Sequence, residues 1–366
     1  MYIHEHTNWP QFTWISERVS TRLAEIRYKQ GKLLGKMETL GFSMREEAVL
    51  ETLTLDVLKS SEIEGEMLDA AQVRSSIAKH LGIDLAGAVI VDRNVEGVVE
   101  MMLDATQHYA QPLTAERLFG WQAALFPAGR SGLYKITTGA WRTGENGPMQ
   151  VVSGAIGKET VHFQAPDANK VAAEMEAFIT WFNNKQNIDP VLKSAIAHLW
   201  FVTIHPFADG NGRIARAIAD MQLSRADETA QRFYSMSSQI RQERNMYYSM
   251  LENTQKSDLD ITEWLEWFFS CLERTIDNVE NTLQKVNRKV KFWKNAADIE
   301  LNSRQRLMLN KLLDGFEGKL NSSKWAKITK ASPDTSLRDI TDLINKGILV
   351  KSIMGGRSTN YQLNLL

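Results

Sequence analysis

One cysteine, Cys271, stands in 366 residues, so no internal disulfide can form and stability must come from packed cores. Proline is sparse at 8 residues, which leaves long stretches free to run as unbroken helix. No uninterrupted apolar run approaches the ~20 residues that a membrane-spanning helix needs. The start, Met1-Tyr2-Ile3-His4-Glu5-His6, lacks a basic segment followed by an apolar one, so no secretory leader is expected. Histidines and acids do not fall at zinc-module spacings. These absences exclude the disulfide-rich secreted and zinc-module classes and predict a soluble, cytoplasmic protein with no membrane contact. Charge of one sign is also lacking, since 43 Lys+Arg stand against 44 Asp+Glu.

That balance is uneven along the chain. From Lys285 to the end, 16 Lys+Arg face 7 Asp+Glu, a net of +9, so the preceding part carries −10 to reach the total of −1. A chain of this length can hold two or three domains, each with its own core. Residues 1–41 read as an N-terminal helical piece with Trp9, Phe12 and Trp14 near its start. Residues 50–68, 94–109, 114–125, 167–183 and 261–287 also carry helical patterning. Thr114 is placed to cap its helix, with Arg117 where a capping box prefers Glu. Residues 141–166 contain two short β-prone pieces around a glycine-rich turn, an isolated hairpin in a helical setting. Near the end, helices are expected over 302–313, 322–329 and 336–345, then strands over 347–353 and 358–363.

The densest chemistry lies in His205-Pro206-Phe207-Ala208-Asp209-Gly210-Asn211-Gly212-Arg213-Ile214-Ala215-Arg216. Residues 194–204 are apolar at helical spacing, and Pro206 should end that helix, leaving His205 at its terminus and aimed outward. Gly210 and Gly212 allow left-handed backbone and close approach of a ligand. A second helix starts at their far side, so the loop 209–212 sits where free N–H groups and the helix dipole bind phosphate. Asp209 is a hard oxygen ligand suited to Mg²⁺. Arg213 and Arg216, three apart, share a helix face and can fork onto phosphate oxygens. Asn211 can donate its amide to a phosphate oxygen. His205 can accept a proton from an attacking hydroxyl near neutral pH.

All nine specified positions of HPFx(D/E)GNGRxxR are present in this segment, and the chain resembles the Fic family of AMP transferases over roughly residues 50–285. The resemblance implies a mainly α fold: a Fic-type helical core with a β-hairpin flap. It implies ATP as donor, attack of a Ser, Thr or Tyr hydroxyl of a target protein, or of the chain itself, on the α-phosphorus, and departure of pyrophosphate. His205 would be the base and Asp209 the Mg²⁺ ligand, with Gly210, Asn211, Gly212, Arg213 and Arg216 as the phosphate cradle. Upstream, Ser60, Glu64 and Gly65 fit the family's inhibitory (S/T)xxxE(G/N) pattern. Of six Glu-Gly or Glu-Asn pairs in the chain, only this one has Ser or Thr four residues before Glu. Glu64 would then pair with Arg216 and take the seat of the γ-phosphate.

The hairpin resembles the family's flap, which would put Val151, Val152, Ser153 and Gly154 nearest nucleotide and target. Tyr248 matches the nucleobase pocket, and Asn253 could bond base or ribose. A homodimer is implied by the family alone. The basic C-terminal segment resembles a winged helix-turn-helix. Thr335, Ser336, Arg338 and Asp339 would open its recognition helix, and Lys324, Lys327, Lys330, Arg338 and Arg357 would meet DNA phosphates. The domains expected are 1–110 (inhibitory helix at about 50–68), 111–287 and 288–366. Two other readings remain open at this point, removal of AMP with Glu64 positioning water, and a DNA-binding regulator whose core senses nucleotide.

Overall fold

The computed structural model describes residues 1–366 apart from 86, 146, 155–157, 186, 317, 353–358 and 365–366, and the side chains at 43 and 282. It is mainly helical, with three short two-stranded antiparallel sheets. The N-terminal part holds α1 (Ser16–Glu38), α2 (Phe42–Ile63), α3 (Ala70–Leu81) and α4 (Arg93–Gln107). After α5 (Ala115–Leu125) come the ribbon β1 (Arg130–Ser131)/β2 (Tyr134–Lys135) and the hairpin β3 (Gln150–Ser153)/β4 (Thr160–Gln164). The centre is built by α6 (Ala168–Asn183), α7 (Pro190–Ile204) and α8 (Asn211–Asp227). Around them lie α9 (Met236–Gln242), α10 (Arg244–Gln255) and α11 (Thr262–Asp277).

Local chemistry sets the ends that matter. Asp189 caps α7 by accepting from Val191 N–H at 2.7 Å, and Pro190 fills the first helical position, where its missing N–H costs nothing. Every residue of α7 from Val191 to Ile204 is buried, so this helix is the axis of the core. It stops where His205 turns left-handed (φ 52°) ahead of Pro206. Thr114 caps α5, its hydroxyl accepting from Arg117 N–H at 3.1 Å.

The helix expected over 50–68 begins earlier and ends sooner, at Ile63. Gly65 takes φ +87°, a conformation that breaks the helix and costs glycine little. Leu68 therefore lies outside it, and Glu64 sits at the helix's C-terminal cap.

The C-terminal unit comprises α13 (Ser303–Leu313), α14 (Ser322–Thr329), α15 (Pro333–Asn345) and the pair β5 (Leu349–Lys351)/β6 (Tyr361–Leu363). It follows α12 (Val279–Asn295). Leu320 adds a bridge to Tyr361. Helix α15 starts three residues before the expected 336, because Ser332 caps it and Pro333 opens it. Both strands are shorter than their sequence patterns, and Arg357 lies outside the described residues.

The boundary expected at 287/288 falls inside a helix. Helix α12 runs straight through it, with Val286 in the larger core and Phe292 and Trp293 against the smaller one. Lys289 binds Glu47 of α2 at 3.3 Å and also pairs with Asp314 after α13. The helix is a strut shared by the two cores.

Helix α4 crosses α5 closely at Gly97. A Cβ built on Gly97 would lie 1.8 Å from the carbonyl oxygen of Ala124. Gly97→Ala should therefore destabilise the protein by about 1–3 kcal/mol from overpacking. That exceeds the ~1 kcal/mol gained in helix propensity. A lower urea midpoint at unchanged m-value would bear this out, and an unchanged or higher midpoint would contradict it.

Candidate functional site

A cavity of about 680 Å³ opens between the β3/β4 hairpin, the α7–α8 turn, the end of α2 and helix α10. That is within the range of small-molecule sites. His205, Asp209, Gly210, Asn211 and Gly212 line one wall, Glu64 another, and Tyr248 with Asn245 a third. Val151, Val152 and Ser153 close it from the hairpin, whose register shifts at a bulge between Val151 and Val152. Gly154 does not reach the lining, and neither does Asn253, which is exposed on α10's outer side. Arg213 and Arg216 stand behind the glycine turn, both buried.

His205 is held by its own turn. Its Nδ1 lies 3.1 Å from the carbonyl oxygen of Val202, so a neutral ring donates there and leaves Nε2 as acceptor. Arg142 braces the turn from behind. Its Nε donates to His205 O at 2.8 Å, its Nη2 to Pro166 O, and its backbone N–H to Pro206 O at 2.9 Å. Burial pushes the His205 pKa below its usual value; the Val202 carbonyl opposes this, while nearby Arg142 adds to it. The imidazole is kept neutral, as a base requires.

The loop's other polar groups are more committed than their sequence suggests. Asn211 braces the turn: its Oδ1 accepts from Phe207 N–H and its Nδ2 donates to Phe207 O, both at 2.9 Å. One amide N–H is bonded in this way, so the side chain braces the loop from a position on the cavity wall. Gly210 has φ +89°, but Gly212 lies within α8 and is not left-handed. Gly212 is small for another reason. A Cβ there would meet Glu64 Oε1 at 2.2 Å, so only glycine admits the carboxylate. Asp209 accepts Gly210 N–H at 2.6 Å through Oδ1 and the Ser131 hydroxyl through Oδ2.

Helix α2 occupies the cradle. Arg216 donates from Nη2 to Glu64 Oε1 at 2.7 Å and to Ser60 O at 2.9 Å, and from Nε to Ser60 Oγ at 2.9 Å. Arg213 donates to Glu66 Oε2 at 2.6 Å and lies over the Phe126 ring at 5.1 Å. Tyr248 stands with its hydroxyl 3.4 Å from Glu64 Oε2, while Arg244 stacks on its ring and donates to Ile63 O at 2.7 Å. Both arginines of the motif are thus already paired to carboxylates from the N-terminal part. Arg142, Ser131, Glu66 and Arg244 carried no spacing signal in the sequence.

Comparison with known proteins agrees with this arrangement. The Fic/DOC family model matches residues 112–223, and a domain of unknown function, DUF4172, matches residues 2–83. The chain carries a Fic/DOC domain. Protein adenylyltransferase Fic of Drosophila mojavensis is 33% identical over 114 residues, covering 31% of this chain and 21% of that protein. Its counterpart in Aedes aegypti is 34% identical over the same length, again 31% and 21%. The chain spans about a fifth of the length of these curated relatives. Among solved structures, a Fic family protein from Desulfovibrio desulfuricans G20 aligns over 96% of this chain and 97% of its own, at TM-score 0.53 and 20% identity. A Fic domain containing signaling protein from Bacteroides thetaiotaomicron aligns over 72% and 97%, at TM-score 0.52 and 20% identity. These two share the fold. Glu64 falls inside the DUF4172 match, and the Fic match contains every residue of the His205–Arg216 segment.

The C-terminal unit departs from a base-reading surface. Ser336 and Asp339 are buried, Asp339 binding Arg304 at 2.7 and 3.0 Å and Asn302 at 2.9 Å, so neither can open onto a groove. The outer face of α15 presents Asp334, Leu337, Arg338 and Thr341, of mixed sign. Lys324, Lys327 and Lys330 are exposed along α14 instead. No described helix is long and apolar enough to cross a membrane.

Proposed function

We propose that the chain is a protein adenylyltransferase that moves AMP from ATP to a hydroxyl of a target protein, and that Glu64 holds it inactive. The observation that carries this reading is the placement of a neutral His205 beside the N-terminus of α8, with Glu64 bonded to the arginine of that helix. Free N–H groups at the start of α8 and the guanidinium of Arg213 would take the polyphosphate. His205 Nε2 would accept the proton of the attacking hydroxyl as oxygen bonds to the α-phosphorus and pyrophosphate leaves. Tyr248 would stack on the adenine, and the hairpin edge would hold the target segment.

Asp209 suits Mg²⁺: it is one hard carboxylate on the cavity wall, fixed through both oxygens and needing only phosphates and water to complete the shell. The ion would offset negative charge on the phosphates. AMP removal stays as the second reading, because Glu64 lines the same cavity as His205 and can order a water there. The mixed charge of α15 gives no support to the DNA-binding regulator.

Labelling from α-³²P-ATP with Mg²⁺, on the native chain and on Glu64→Gly, tests the proposal with lysate proteins as acceptors. Label rising with Glu64→Gly supports it; no label or pyrophosphate from either would sink it. A pH profile adds a check. Since burial depresses the His205 pKa, its unprotonated form persists below the usual ~6.5. The rate should hold through pH 6.5 and fall only on further acidification. A fall centred above pH 7 would contradict this.

A further inference from the structure

On the wall of the same cavity, two residues of the β3/β4 hairpin and one of α10 form a hydrogen-bonded chain. Ser153 Oγ on β3 lies 2.6 Å from His162 Nε2 on β4, and His162 Nδ1 lies 2.8 Å from Glu252 Oε2 on α10. All three line the cavity that holds His205 and the start of α8. Glu252 is ionised: the hydrogen bond from Lys256, 2.5 Å from its other oxygen, holds its carboxyl below the usual range, and His162 adds to this. With a carboxylate on Nδ1, a neutral His162 donates there and presents a bare Nε2 to the Ser153 hydroxyl. The order of nucleophile, base and orienting carboxylate is what activates a serine. Strand geometry supports it, since the bulge at Val151/Val152 changes the register just before Ser153.

What such a serine could attack is set by what the cavity would hold. Resting on the reading of this cavity as an AMP-transfer site, we infer that Ser153 is a self-acceptor of AMP, activated by His162. Ser153 Oγ bonds to the α-phosphorus of ATP, the bond from that phosphorus to the bridging oxygen breaks, and pyrophosphate leaves. The serine proton passes to His162 Nε2, whose positive charge Glu252 balances. The hairpin then carries an AMP phosphodiester at the mouth of its own site. Reaction is limited to one AMP per chain at this position, and the occupied hairpin edge excludes a target segment.

The test uses the full chain carrying Glu64→Gly, incubated with ATP and Mg²⁺, with peptide mass mapping and pyrophosphate release followed together. One AMP on the peptide containing Ser153 is expected. His162→Gln should slow that modification by about 10²–10⁴-fold, the span for losing a general base. Glu252 is a positioning residue. Glu252→Gln keeps an acceptor for His162 but not its charge, so it should lower the maximal rate of Ser153 modification while the ATP concentration for half-maximal rate holds. Pyrophosphate release with AMP found only on other residues or other proteins would overturn this inference and leave the transferase reading standing. Absence of both pyrophosphate and adduct would overturn both. Ser153 modification undiminished in His162→Gln would remove His162 from the role and overturn the inference as stated.

Discussion

Glu64→Gly should raise AMP transfer by about 10²-fold or more, the penalty typical of holding reacting groups an ångström out of place. The size follows from where the carboxylate sits. Glu64 Oε1 is 2.7 Å from Arg216, and no side chain but hydrogen would fit at 212 beside it. A phosphate cannot share that space, and the Nη2 donor that faces it is already taken by the carboxylate. Removing the carboxylate also leaves the buried Arg216 guanidinium without an anionic partner, held by neutral acceptors such as the Ser60 hydroxyl and carbonyl. An uncompensated buried charge is destabilising, so the free variant should melt lower than the native chain, and ATP should restore more stability to the variant than to the native protein. The two measurements are independent: label from α-³²P-ATP, and melting temperature with and without ATP–Mg²⁺. Unchanged labelling together with unchanged ATP affinity would remove Glu64 from any inhibitory role. A variant that binds ATP more tightly yet labels nothing would point to AMP removal, with Glu64 needed to hold water.

How far the sequence foretold this site depends on how local each interaction is. The end of α7 at His205 and the glycine at 210 are fixed by neighbours in the chain, Pro206 and the α8 turn, so their geometry was legible. The Glu64–Arg216 contact joins residues 152 apart and was reached through a pattern, not through periodicity. Where the sequence misled, a hydrogen-bonding group had been claimed by the backbone. Asn211 looks like a free amide in a polar loop, yet each of its ends also makes a bond to Phe207. Gly212 looks like a turn residue, but its size serves a carboxylate from another helix.

The same blindness hid Arg142, which follows a tryptophan in an unremarkable stretch and becomes the brace of the His205 turn. In the C-terminal unit, Asp339 and Ser336 carried a surface reading because they are polar. Arg304 and Asn302, thirty-five and thirty-seven residues upstream, draw Asp339 inward. The boundary expected at 287/288 lies inside α12, between Val286 of the larger core and Phe292 against the smaller one. Within the basic run of that helix Lys289 is buried against Glu47 and Asp314, a contact that charge alone does not foretell.

His205→Ala in the Glu64→Gly background should lower AMP transfer by about 10²–10⁴-fold, the usual range for a lost general base. Binding of ATP should change little, because the nucleotide would be held by α8 and its arginines, and His205 would touch only the incoming hydroxyl. The expected pattern is thus a fall in kcat with KM for ATP held, the mark of a group that acts in the transition state. Folding should survive, since the turn is anchored by the Arg142 side chain on carbonyl oxygens and by Asn211 on Phe207, neither of which needs the imidazole. Single-turnover labelling at saturating ATP, with melting temperature as the control, separates these effects. A raised KM at undiminished kcat would make His205 a nucleotide contact instead. Transfer to Ser153 offers the sharper contrast. If His162 serves that serine, the self-adduct should persist in the double variant while label on other proteins is lost, so one protein would report two bases separately.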